Sequence, residues 1–363
     1  MARVIESTTV LAAATVAYLL IGEMAVRLVI HAPLFEIHDF RHERAARTIN
    51  QAVQYDSVLG WHLKPYLKFS FPGFNTLEYG FRSNGGPDVA VRPGGVLAVG
   101  SSFTAGSEVN DEQTWPAQLG QITGWNVNNA GEGNYVADQI IMNGEQLLPT
   151  IRPQVLVVDL IPDNIVGASY SSYGWPKPYF TVENGTLVQH NEPVPRQRDP
   201  GRDRFGIKPF LGHFAIADQF MTAFFSNSWF SSDGTSYEMI HNDVIDVTCR
   251  LLDRLKQQTD AANIRLVLFL QFGGARVMSS PQEAEQSVGV AKCAQQLHIV
   301  TVDEFATLRG IYEKSPTDLR EYYHIEPNGQ FGHKSPFGNL QVARALEPAI
   351  RSLGLSSIRN RNK

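Results

Sequence analysis

The chain has 363 residues, with 31 Lys and Arg against 36 Asp and Glu, for a formal net charge of −5 with histidine neutral. That balance excludes a basic nucleic-acid binder, and 43% hydrophobic with 18% charged residues excludes a largely disordered chain. The two cysteines, Cys249 and Cys293, exclude a disulfide-dense scaffold and a four-cysteine zinc site, and leave the redox compartment open.

From Thr8 to Gly22 the sequence carries no charge, and apolar residues continue past Glu23 and Arg27 to Ile30. A helix over Thr8–Ile30, about 23 residues at 1.5 Å each, is long enough to cross a bilayer core of roughly 30 Å. Glu23 and Arg27 stand four apart and can pair on one helix face. The segment reads as a retained signal-anchor, because no small-residue cleavage site follows the apolar run. A cleaved signal peptide and a buried amphipathic helix are the alternatives.

Five short apolar runs then read as buried strands: Val96–Val99, Trp125–Asn128, Val155–Asp159, Arg265–Leu270 and Ile299–Asp303. Helical patterns separate them. Thr114, Trp115 and Pro116 form a helix start, Gln139–Leu148 repeats apolar residues at helical spacing, and so do Ile240, Val244, Val247, Leu251 and Leu255. That last pattern places Cys249, and Cys293 in the following helix, among packing positions. Alternation of strand and helix predicts an α/β fold, a parallel sheet covered on both faces, with its site outside the strands' carboxyl ends. Gly167–Thr235, rich in Tyr, Trp, Phe, Pro and Gly, lacks sustained periodicity. It reads as an insertion that either packs on its own aromatics or serves as a substrate cap or partner-docking surface.

Two short segments carry candidate chemistry. Gly100-Ser101-Ser102-Phe103-Thr104-Ala105-Gly106 directly follows the first strand, and small residues there allow a tight turn that exposes the Ser102 hydroxyl. Gly332-His333-Lys334-Ser335-Pro336 puts a histidine in a loop before the final helix, expected to begin around Asn339–Ala343. In this order the two resemble the first and last blocks of the SGNH/GDSL hydrolases. Asn128-Asn129-Ala130-Gly131-Glu132-Gly133-Asn134 is similar to that family's second block, and Val157–Ile165 lies where the third is expected. Tyr55–Trp61 with Lys64-Pro65, and Tyr79-Gly80-Phe81-Arg82, look like the lead-in of its bacterial membrane-anchored members.

The resemblance implies a flavodoxin-like three-layer sandwich with a mostly parallel five-stranded sheet. It implies acyl transfer without metal or organic cofactor, with Ser102 as nucleophile and His333 as base. The oxyanion would be held by the backbone amides of Ser102 and Gly133, or of Asn134 at a shifted register, and by a third-block amide. It also places the globular domain on the periplasmic side of a bacterial inner membrane. The division that follows is an anchor at 1–31, a lead-in at 32–93, a hydrolase-like domain at 94–350 with the insertion at 167–235, and a polar tail at 351–363.

Three positions depart from the family pattern. Ser101 replaces the first block's Asp. Asp163-Asn164 inverts the third block's Asn-Asp, so that Asp163 takes the donor's place unless Asn164 shifts into it. Gln330 stands three before His333, where the family has the Asp that orients the imidazole; either Glu326 reaches the ring from another direction, or Ser102 and His333 work as a dyad. Two functions are therefore expected in competition. One is a membrane-anchored esterase or O-acyltransferase acting on acylated glycans or similar esters. The other is a catalytically degraded member serving as a structural subunit of a bacterial membrane complex of the glycan-synthesis, respiratory or photosynthetic kind.

Overall fold

The computed structural model describes residues 2–41, 52–70, 72–86, 90–196, 206–230 and 236–355, so the last eight residues of the polar tail fall outside the described residues. Two compact units divide the chain: Met1–Ala52 with Gln197–Ser236, and Val53–Arg196 with Tyr237–Lys363.

The larger unit is built on five parallel strands, β1 Val96–Gly100, β2 Val127–Gly131, β3 Val155–Leu160, β4 Arg265–Leu270 and β5 Val300–Asp303. Their order across the sheet is β5-β4-β3-β1-β2, the flavodoxin-like arrangement. Four of the five lie within one residue of the runs expected from the sequence, and β2 is displaced from Trp125–Asn128 by two residues at its start and three at its end. Every residue of β1, β2 and β3 is buried, as a sheet covered on both faces requires.

Alternate residues feed opposite faces. Leu97, Val99, Leu156, Val158 and Leu268 pack with residues of helices Ala137–Ile151, Val244–Ala261 and Glu285–Gln296. Val96, Ala98, Val157, Val267 and Phe269 pack with residues of Trp115–Thr123 and Pro336–Ser352. Thr114 caps the first of these two helices by accepting from the Ala117 amide, and Ser335 caps the second by accepting from the Gly338 amide. The final helix thus starts one turn before the expected Asn339. Cys249 and Cys293 do sit on the helices predicted for them, but they are bonded to each other rather than merely packed.

The aromatic segment is more ordered than its composition suggested. Tyr170–Pro176 pairs with Ser236–Met239, and Tyr179–Glu183 forms a hairpin with Thr186–His190. Lys177, between those strands, is ion-paired with Asp138 at 2.5 Å, and both are fully buried.

The smaller unit joins the N-terminal helix Ala2–Val29 to two helices from the middle of the chain, Ile207–Gly212 and Ala215–Phe230. Val10–Val29 is long and apolar enough to cross a bilayer, with mean hydropathy 1.6 and little of its surface covered. Glu23 and Arg27 pair as expected, at 2.7 Å. They also do more: the Glu23 carboxylate accepts from the Ala215 and Ile216 amides, and Arg27 donates to the carbonyls of Pro33, Glu36 and His213.

Candidate active site

β1 ends at Gly100, and the chain passes through Ser101 into one helical turn, Ser102–Ala105. A Cβ at Gly100 would stand 2.1 Å from Thr104 Oγ1, and one at Gly131 would stand 2.3 Å from the Ala105 nitrogen. Only glycine at both strand ends lets this turn settle on the sheet. Ser102 is thereby presented at the carboxyl edge, where the strand order reverses between β1 and β3.

The hairpin Tyr323–Ile325 with Phe331–Lys334 delivers the histidine. Ser102 Oγ lies 2.8 Å from His333 Nε2. On the other side of the ring, Nδ1 lies 2.7 Å from Glu108 Oε1, while the His333 amide donates to Glu108 Oε2 at 2.8 Å. Hydroxyl, imidazole and carboxylate thus stand in one hydrogen-bond sequence, the arrangement that a serine nucleophile with a base and an orienting group requires. Burial alone would raise the Glu108 pKa, but the His333 hydrogen bond and charge, aided by His324, outweigh it and hold the carboxyl below its usual range.

Glu108 sits on a loop held by Arg82, which ends the lead-in motif Tyr79-Gly80-Phe81-Arg82. The buried Arg82 guanidinium bonds Asp111 Oδ1 at 2.6 Å and donates to the carbonyls of Ala105, Gly106, Val109 and Gly73 at 2.8 to 3.1 Å. The other lead-in segment supports the second block in the same way. Trp61 Nε1 donates to the Gly133 carbonyl, the Tyr135 hydroxyl donates to the Trp61 carbonyl, and the buried Glu132 carboxyl accepts from the Leu63 amide.

A buried polar layer lies behind the histidine. Lys334 Nζ is 2.7 Å from Glu304 Oε1 and 3.1 Å from the Tyr323 hydroxyl, and both Glu304 and Tyr323 are bonded to the backbone of Phe272. Asp159, at the end of β3, accepts from Thr104 Oγ1 and from Gln271 Nε2. Burial pushes its pKa up to about 7.

The remaining sequence candidates fall as follows. Gly133 and Asn134 occupy the turn after β2, Asn134 exposed and at φ 62°. Asn164 is buried, with Oδ1 accepting from the Ile161 amide and Nδ2 donating to the Tyr135 carbonyl, which leaves one Nδ2 hydrogen. Asp163 is exposed and lines a cleft of about 290 Å³ beside His333, together with Phe103, Ile161, Pro162, Arg276 and Phe331.

Gln330, expected beside the imidazole, instead lies exposed in the hairpin turn, its carbonyl accepting from the Glu326 amide. The strand between it and His333 carries it away from the ring, and Glu108 occupies the orienting position. Glu326 makes no hydrogen bond to the ring among the described residues. Its carboxylate groups with Glu108 and His324, whose ligand-capable atoms lie within 4.8 Å of one another. A cation bound there would compete with His333 for the Glu108 carboxylate.

Glu108 and Arg82 are the functional candidates that sequence reasoning missed. The signal that could have found Glu108 was an acidic residue immediately beyond the Gly106 turn of the nucleophile block.

No protein-family model matches the chain, and no curated protein matches it. Several solved structures do. An acetyl xylan esterase matches at 13% identity over 70% of this chain and 98% of its own, with a TM-score of 0.41. A psychrotrophic esterase from Pseudoalteromonas matches at 10% identity over 71% and 96%, with a TM-score of 0.36. A protein from Desulfitobacterium hafniense, described as lipolytic and of the G-D-S-L family, matches at 11% identity over 70% and 98%, with a TM-score of 0.34. The four sequence blocks of this chain resemble those of the SGNH/GDSL hydrolases.

Proposed function

We propose that this protein is a serine esterase or O-acyltransferase that acts on short acyl esters of polar molecules such as glycans, held at a bacterial membrane by its N-terminal helix. The observation that carries the reading is the unbroken hydrogen-bond sequence Ser102–His333–Glu108.

In the reaction so read, Ser102 Oγ attacks the ester carbonyl while His333 Nε2 takes its proton. Glu108 holds the Nδ1 hydrogen, fixes the tautomer, and stabilises the imidazolium that forms. The negative oxygen of the tetrahedral intermediate is met by the amides of Ser102 and Gly133 and by the free Nδ2 hydrogen of Asn164. His333 then returns the proton to the departing alcohol, leaving an acyl-serine. Water or a second hydroxyl, deprotonated by the same ring, attacks the acyl carbonyl, and as the bond to Ser102 Oγ breaks the ring returns that proton to Oγ. The small cleft supports a short acyl chain.

The Cys249–Cys293 bond supports placement on the oxidising, periplasmic side. The competing reading as a structural subunit drew its strength from Asp163 and Gln330, and Glu108 beside the imidazole supplies the carboxylate that Gln330 lacks.

A serine-directed fluorophosphonate tests the proposal. Labelling of Ser102 in the native chain, lost in Ser102→Ala together with hydrolysis of an acetyl ester, is the expected result. A native chain that neither labels nor hydrolyses acetyl esters or transfers their acyl groups to sugars would overturn it in favour of the scaffold.

A further inference from the structure

In water, a surface helix turns its apolar stripe inward and its polar face out. Ala215–Phe230 does the reverse. Its exposed positions through Phe224 are Ile216, Phe220, Ala223 and Phe224, spaced i, i+4, i+7 and i+8, so they form one continuous stripe with no polar side chain in it. Its acidic residue, Asp218, is fully buried and accepts from Trp229 Nε1. The preceding segment continues the pattern with exposed Ile207, Phe210 and Phe214, at i, i+3 and i+7. Rings adjoin along this surface, Phe210 with Phe214 and Phe220 with Phe224.

The stripe begins beside the N-terminal helix: a Cβ at Gly22 would stand 3.4 Å from Ile216 Cδ1. Glu23 caps the second helix by accepting from its first two amides, and Arg27 holds Glu23 in place. Glu23 lies six residues inside Val29, about 9 Å along the helix axis. If Val10–Val29 crosses a bilayer, the start of the second helix is therefore set at the depth of the headgroup and upper acyl region. At 16 residues the second helix is too short to span the core, whereas an apolar face bedded in the interface suits its length.

We infer that Ile207–Phe225 is a second membrane contact, an interfacial helix pair whose phenylalanine stripe enters the lipid beside the anchor. The inference rests on the proposed anchoring by the N-terminal helix. It also gives Glu23 and Arg27 a purpose: they are the polar joint that fastens the interfacial helix to the spanning one.

The test uses the full chain, whose two native cysteines are bonded to each other, so that a single introduced thiol can carry an environment-sensitive nitrobenzoxadiazole dye. Phe220→Cys and Phe224→Cys report on the stripe, Tyr18→Cys on the anchor, and Gln257→Cys on an exposed helix of the larger unit. Each is reconstituted in phosphatidylcholine vesicles with and without acyl-chain nitroxide lipid, and each is also exposed to aqueous iodide. The expected result is blue-shifted emission at 220 and 224, strong loss of fluorescence to the nitroxide, and little loss to iodide. Quenching at Tyr18 without quenching at 220 or 224 overturns the inference and leaves the anchor standing. Shielding of 220 and 224 from both quenchers assigns the stripe to a protein partner and overturns it as well. Absence of lipid quenching at all three positions overturns both the stripe and the anchor.

Discussion

Glu108 grips His333 at two points, one carboxylate oxygen on the ring Nδ1 at 2.7 Å and the other on the backbone amide at 2.8 Å. The two bonds fix the ring's tilt as well as its tautomer, a stronger constraint than a single side-chain contact supplies. Glu108→Gln keeps the shape but cannot stabilise an imidazolium. We expect kcat on an acetyl ester to fall about a thousand- to ten-thousand-fold with KM little changed. Gln330→Asp, whose site lies away from the ring, should leave both constants as they were. Steady-state kinetics of the two variants checks the assignment.

Gly332 gives the same contact a steric test. A Cβ there would sit 2.3 Å from Glu108 Oε2, so Gly332→Ala has to push the carboxylate off the histidine amide. Since the displaced atom is the end of a flexible side chain, thermal stability should change little while kcat falls. Combined with Glu108→Gln it should cause almost no further loss, which a double-mutant cycle reads directly.

Arg82 should behave as a stability residue with a catalytic consequence. Arg82→Met strips the ion pair from Asp111 and the donors from four carbonyls, and a buried pair broken on one side costs about 3–5 kcal/mol. Lysine cannot reproduce a fork of several donors, so Arg82→Lys should recover only a fraction of the urea midpoint.

Asp159 predicts a pH effect on stability. Its folded pKa, about 7, stands above the ordinary 3.8, so the folded chain retains a proton that the unfolded chain releases. The stability this group provides is complete below about pH 4 and is lost as pH rises through 7. Asp159→Asn removes the dependence, so its urea midpoint relative to the native chain should improve between pH 5 and pH 8. A constant difference across that range would show that Asp159 does not titrate in the folded state.

The strands and the turn that carries Ser102 were legible because they are local. A four-residue apolar run bounded by glycines, such as Val96–Val99, carries its own burial signal, and the turn after it exposes Ser102 whatever lies elsewhere. Glu108 was not legible. Its partner is 225 positions away, and chain proximity pointed instead to Gln330, which the hairpin carries off. The cysteine pair was hidden for a similar reason, since helical spacing places each residue on a face but does not say which two faces meet. The stripe of Ile216, Phe220 and Phe224 could have been read from its spacing. It was obscured by the surrounding proline- and glycine-rich sequence, which made the whole segment look aperiodic.

Two members of the Ser102–His333–Glu108 set lie six residues apart on one loop, while the third arrives on a hairpin near the end of the chain. On the proposed function, ester turnover is therefore a sensitive gauge of whether the carboxyl-terminal hairpin has docked. A preparation nicked between Ile325 and Phe331 could keep its sheet, its circular dichroism and its melting profile almost intact and still be inert. On that reading, specific activity rather than spectroscopic foldedness is the quality measure for this protein.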